Sequence, residues 1–244
     1  MSSKIQRTLA LGQELLNAVR LIKAGMGKLQ TLDGGNDFYH LPLLSLASGF
    51  ERFMKVTLCF RAIEVTGKFP TNKTFPAGRD GHDLNLLLKR VREECFLNEY
   101  VDTIPVGQMD FEYLSSSELT SLISVLSDFG QAARYYNFDV IIGRSPQTED
   151  PDAAWQKLET EILLSREDLF REIEENPASQ RFDEEINIEV VSRLERFTRA
   201  LARLYAIGRI GKEAKRHLGY VSIFLHIPDS DLGRRRYPLS GSFF

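Results

Sequence analysis

The chain has 244 residues, with 31 lysines and arginines against 34 aspartates and glutamates and a formal charge of -3. Apolar residues make up 43% and charged residues 27%, which excludes a disordered chain too poor in apolar surface to fold. The near-neutral balance also excludes a protein that coats nucleic acid by overall basicity.

From Ile5 to Leu29, the residues Leu9, Leu15, Leu16, Val19, Ile22 and Met26 recur at near-helical spacing and predict a long first helix with one buried face. Asp33-Gly34-Gly35-Asn36 ends it in a turn, where the glycine pair is expected to supply positive φ angles. His40 to about Thr66 reads as a second long helix, apolar nearly all round, as a helix at the centre of a bundle would be. Pro70, Asn72, Pro76 and Gly78 then predict a loop from Gly67 to Arg79, with Asp80 as the expected cap of the next helix and Asp83 favourable in its first turn.

A third helix carries Leu84, Leu87, Leu88, Val91 and Cys95 on one side and charges on the other. The irregular text from Tyr100 to Glu112 allows a short strand or a 3-10 turn. Ser115 to Glu118 signal the start of a fourth helix that runs to about Tyr135-Tyr136. Arg144 to Asp152, with two prolines, is the expected boundary between residues 1–144 and 145–244, two units that could also pack as one domain.

Beyond it, Leu158, Ile162, Leu169 and Ile173 mark one helix from Trp155 to about Glu175. After Asn176-Pro177, the residues Val190, Leu194, Phe197, Leu201 and Leu204 follow a coiled-coil-like rhythm that would serve either packing within the chain or a homodimer. Sustained period-two alternation is missing, so the expected class is all-α: an up-and-down helical bundle with an additional long helical hairpin and a basic C-terminal tail.

Cys59 and Cys95 sit inside apolar helical patterns, with no further cysteine or histidine at metal-ligand spacing. Buried thiols in a reducing compartment are expected, and neither a metal nor a cofactor. The N-terminus lacks the apolar core of a signal peptide and no stretch is long and apolar enough to span a bilayer, so a cytoplasmic protein without a membrane partner is expected.

Two short motifs carry a family resemblance. Gly81-His82-Asp83-Leu84, with Leu87 and Leu88 downstream, is similar to the start of the third helix in HEPN (higher eukaryotes and prokaryotes nucleotide-binding) domains. Phe50-Glu51-Arg52-Phe53-Met54-Lys55 resembles the acidic residue and lysine of their second helix. The resemblance covers roughly Leu9 to Gly143 and implies four helices with a long connection between the second and third. Catalytic members carry an arginine followed a few residues later by a histidine near the start of the last helix. Here Arg134 is followed by Tyr135 and no histidine, which resembles the members that look like non-enzymatic binding modules. The resemblance implies a non-catalytic protein that binds nucleic acid or a nucleotide, in a bacterial stress or phage-defence setting.

Three sets of residues are candidates for that role. Glu51, Arg52 and Lys55 interrupt an apolar helix and point either into a polar cleft with Arg134 and His82 or simply into solvent. His82 at a helix start is either a phosphate ligand or base, or a residue that caps the junction beside Asp80. Arg196, Arg199 and Arg203 form a stripe at helical spacing. It is either a groove for RNA or DNA phosphates, extended by Arg234-Arg235-Arg236, or a surface neutralised by the acidic segment from Glu149 to Glu189. The expected ligand-binding residues are Arg52, Lys55, His82 and Arg134, with RNA or a nucleotide as partner and no catalytic residue assigned. A scaffolding module that dimerises or holds a helical partner through its C-terminal helices is the alternative, and a ribonuclease site around His82 is the remaining enzymatic reading.

Overall fold

A computed structural model describes residues 3–175 and 181–239. The fold is all-α, and among the described residues there is no strand, only a single antiparallel bridge between Asp33 and Asn36. In chain order the helices are α1 (Lys4–Leu29), α2 (His40–Thr66), α3 (Leu84–Cys95), α4 (Asn98–Val101), α5 (Pro105–Tyr113) and α6 (Ser117–Gln131). They are followed by α7 (Tyr136–Ile141), α8 (Pro151–Leu164), α9 (Glu167–Glu175), α10 (Arg181–Ala206), α11 (Lys212–Lys215) and α12 (Leu218–Leu225). No helix among the described residues is long and apolar enough to cross a membrane.

Helix α1 starts in a capping box: Ser3 accepts from the Gln6 backbone, and the Gln6 side chain accepts from Ser3. It packs along α2 as an antiparallel pair, with Glu14 bonded to Arg52 near the middle of both helices and Ile22 against Gly49 nearer the turn that joins them. A side chain at Gly49 would place its Cβ 3.0 Å from the Ile22 backbone nitrogen, so the absence of one is what lets the two helices approach. At its other end α2 stops at Gly67, whose φ of 66° is the left-handed conformation that suits a helix-ending glycine.

The reversal between α1 and α2 differs from the expectation in its backbone. Gly34 and Gly35 are not among the glycines with positive φ. Instead the Asp33 carboxylate accepts the Gly35 amide at 2.8 Å and the Asp183 carboxylate accepts the Gly34 amide at 2.9 Å, so side-chain acceptors shape the turn. Residues 98–113 form two short helices rather than a strand. The expected helix from Trp155 to Glu175 is broken at Ser165, whose hydroxyl donates to the Ile162 carbonyl at 2.6 Å and so competes with the helix backbone. The side chain of Ile173, the Asn176-Pro177 break and the terminal Phe243-Phe244 lie outside the described residues.

Helix α10 runs through the middle of the chain's apolar residues. Its seam, Val190, Leu194, Phe197, Leu201 and Leu204, is at most 1% exposed. Phe197 stacks on Phe50 with centroids 4.8 Å apart, and Tyr205 meets both Phe53 and Phe60 while its hydroxyl bonds Thr57 at 3.0 Å. The seam is therefore occupied by the chain's own core, and one continuous apolar cluster runs from Leu15 to Tyr237 across the expected boundary at 144.

Candidate functional site

Three stretches of the chain meet around a pocket of about 200 Å³. Helix α2 contributes Ala47, Ser48, Glu51 and Arg52, the turn before α3 contributes His82, and the chain after α6 contributes Arg134. The turn is fixed by polar bonds to α6. Asp83, not Asp80, caps α3, accepting from the amides of Asn85 and Leu86 at 2.8 and 3.2 Å. Ser127 of α6 donates to the same carboxylate and accepts the Leu84 amide at 2.9 Å, while Arg79 donates to Gln131 at 2.7 Å. Asp80 lies inside the 3-10 turn Arg79–His82, three residues before the cap position of α3.

His82 is not held by Asp80 either. Its Nδ1 lies 3.0 Å from each carboxylate oxygen of Glu51, and Lys55 donates to Glu51 at 2.7 Å. Burial pushes the Glu51 carboxyl up, but the bonds from Lys55 and His82 outweigh it and hold the group below the usual glutamate value. An ionised carboxylate only accepts, so Nδ1 carries the proton and Nε2 is the nitrogen left to meet a ligand.

The four expected ligand-binding residues thus divide. Arg52, His82 and Arg134 line the pocket, while Lys55 lies outside its lining, bonded to Glu51 with its ammonium 5.5 Å from the Phe75 ring. Arg52 is paired with Glu14, both about half exposed, and such a pair holds the guanidinium with little energy. Arg134 is different. It makes no ion pair among the described residues, its Nε is buried without a hydrogen-bond partner, and its guanidinium sits 5.0 Å from the centroid of the exposed Tyr135 ring. Phe138, Ile141 and Ile142 continue outward from Tyr135 at helical spacing, all more than half exposed.

The basic stripe is neutralised, though by partners other than the acidic segment. Arg203 bonds Asp110 at 2.6 Å, Arg199 bonds Asp229 at 2.6 Å and the Ile227 carbonyl, and Arg196 lies 3.6 Å from Glu118 with its guanidinium over the Tyr113 ring. Burial pushes Asp110 up to about 6 despite the pull of Arg203. Two of these partners come from α5 and α6 and the third from the turn after α12, so the stripe faces the chain itself rather than an open groove.

The Arg234-Arg235-Arg236 arm is docked as well. The fully buried Glu195 accepts from the Gly233 amide at 2.6 Å and the Tyr237 hydroxyl at 2.5 Å, and Arg236 pairs with Glu184 at 3.1 Å. Cys95 is buried and Cys59 partly so, and burial pushes their thiols up to about 12 and about 11.

No protein-family model matches the chain, and neither a curated protein nor a solved structure does.

Proposed function

We propose that the pocket between α2, the Arg79–His82 turn and Arg134 receives a backbone phosphate of single-stranded RNA, in a HEPN-like domain that lacks the histidine of the catalytic pair. The observation that carries this reading is Arg134: a guanidinium at a pocket wall with no carboxylate partner among the described residues and a buried, unsatisfied Nε. A guanidinium in that state favours a phosphate, which accepts from its planar fork in two bonds. Arg52 supplies a second cation once it leaves Glu14.

Two features favour RNA in its single-stranded form. Tyr135 and Phe138 are exposed rings at and beyond Arg134, and bases freed from a duplex stack on such rings. The Nε2 of His82, left open by the Nδ1 contact to Glu51, suits a ribose 2′-hydroxyl, a group that DNA lacks. The volume of about 200 Å³ holds a phosphate and part of a sugar, which leaves the base outside on the rings.

Fluorescence anisotropy with a labelled single-stranded RNA, with chelator present and cleavage scored on the same samples by gel, tests the reading. Salt-sensitive binding of intact RNA that falls at least ten-fold in Arg134→Ala is the expected result. Equal affinity of the variant contradicts the binding reading, and cleavage contradicts its non-catalytic part.

A further inference from the structure

A second groove, of about 720 Å³, lies away from the Arg134 pocket, between the N-terminal turns of α1, the end of α2 and the segment around α11. Its floor and walls are Ile5, Leu9, Leu11, Phe60, Ile63 and Phe69. Ile5 and Leu9 are 73% and 68% exposed, so apolar surface of the groove is left in water.

Its polar groups are nearly all of one sign. Lys4, Arg7, Lys68 and Arg216 line it, with Glu213 as the one carboxylate. Glu213 is already engaged, holding Arg216 through both oxygens at 2.8 and 2.9 Å. The Arg7 guanidinium is placed over the Phe69 ring, 4.5 Å from its centroid, and donates to the Pro70 carbonyl, which fixes it beside the apolar wall. Lys4 and Lys68 make no ion pair or side-chain hydrogen bond among the described residues. A cationic rim over an apolar floor, in a chain whose net charge is -3, is complementary to a ligand with an anionic head and an apolar body. The volume falls within the range of about 300–1,000 Å³ occupied by small-molecule sites.

We propose that this groove binds a single-chain anionic amphiphile, a long-chain fatty acid carboxylate, with the alkyl chain along Leu9, Phe60, Ile63 and Phe69 and the carboxylate at Lys4 and Lys68. The site shares no residue with the Arg134 pocket, and the proposal stands or falls independently of RNA binding.

Calorimetric titration of the full chain with dodecanoate and dodecylammonium below their micelle concentrations, and with dodecanol below its solubility limit, separates head from tail. The expected result is one-to-one binding of dodecanoate at least ten-fold tighter than dodecanol, with dodecylammonium weakest. The double variant Lys4→Glu, Lys68→Glu changes two exposed side chains and leaves the core intact. It is expected to weaken dodecanoate at least ten-fold and to strengthen dodecylammonium, a reversal that misfolding would not produce. Leu9→Asp is expected to weaken all three. Equal affinity for the three head groups, indifference to the charge reversal, or no binding of dodecanoate would overturn the proposal. So would a dimer, seen by sedimentation, that Leu9→Asp dissolves and dodecanoate leaves intact, because the groove would then be an interface between copies.

Discussion

Glu51 and His82 come from segments 31 residues apart, yet the Nδ1 of His82 lies 3.0 Å from both oxygens of the Glu51 carboxylate. That contact turns an α2 side chain into the orienting group for an imidazole on the turn before α3. It also fixes which ring nitrogen faces outward. Lys55 also bonds the carboxylate without lining the pocket, and Arg134 is a pocket cation with no ion pair among the described residues.

Glu51 carries a prediction with a defined sign. Its native value is depressed, so the ionised form stabilises the fold at neutral pH, and that contribution is lost as pH falls below the ordinary glutamate value through the depressed one. Glu51→Gln should therefore cost about 1–3 kcal/mol at pH 7, as loss of hydrogen bonds to a charged group does. The gap between wild type and variant in urea unfolding should narrow progressively below the glutamate range. A gap independent of pH would contradict the assigned bonds.

Arg203 and Asp110 give the opposite sign. The native value of Asp110, about 6, lies above the ordinary aspartate value, so ionising it inside the fold costs stability as pH rises through that range. Arg203 offsets part of the cost. Arg203→Ala leaves the carboxylate without its partner and should destabilise by about 3 kcal/mol at pH 8. The loss should be clearly smaller at pH 5, where Asp110 is protonated, and denaturant midpoints at the two values check this.

Much of the fold was legible because long helices repeat their apolar residues often enough to be read. The expected second helix, His40 to Thr66, has the bounds of α2, and the amphipathic division of the third helix matches the buried set Leu84, Leu87, Leu88, Val91 and Cys95. Residues 98–113 were harder, because α4 and α5 have only 4 and 9 residues and show too few turns for a period to emerge. The site was legible in part. The Glu51–Lys55 pair follows from spacing along one helix, and Arg134 and His82 carried the family resemblance. The Glu51–His82 bond and the partners Glu118, Asp110 and Asp229 did not follow, because periodicity tells which residues share a face and not what lies opposite it. The groove beside Leu9 had the same origin: Ile5 and Leu9 fit the helical period, but the structure leaves them uncovered.

The C-terminal arm depends on Glu195. Replacing it by alanine leaves the Tyr237 hydroxyl and the Gly233 amide without acceptors, each worth about 1–3 kcal/mol when buried and unsatisfied. Glu195→Ala should destabilise the protein and make the peptide bonds after Arg234, Arg235 and Arg236 accessible to trypsin at concentrations that leave wild type uncut. Cleavage of both proteins at equal rates would show that the arm is not held by this contact.

The thiols should be unreactive in the native state. With Cys59 at about 11 and Cys95 at about 12, little thiolate is present at pH 8. Iodoacetamide should label both at least ten-fold more slowly than in denaturant, with Cys59 ahead of the more buried Cys95, as mass spectrometry can follow. Rapid native labelling would contradict this.

The central claim is that Arg134 contacts a phosphate, and the salt dependence of RNA binding tests it most directly. On a single strand each neutralised phosphate contributes a slope of about -0.7 to log affinity against log salt. Wild type and Arg134→Ala should therefore differ in slope by about that amount, the variant being less steep. Parallel lines of equal slope would contradict the account even if the affinities differed.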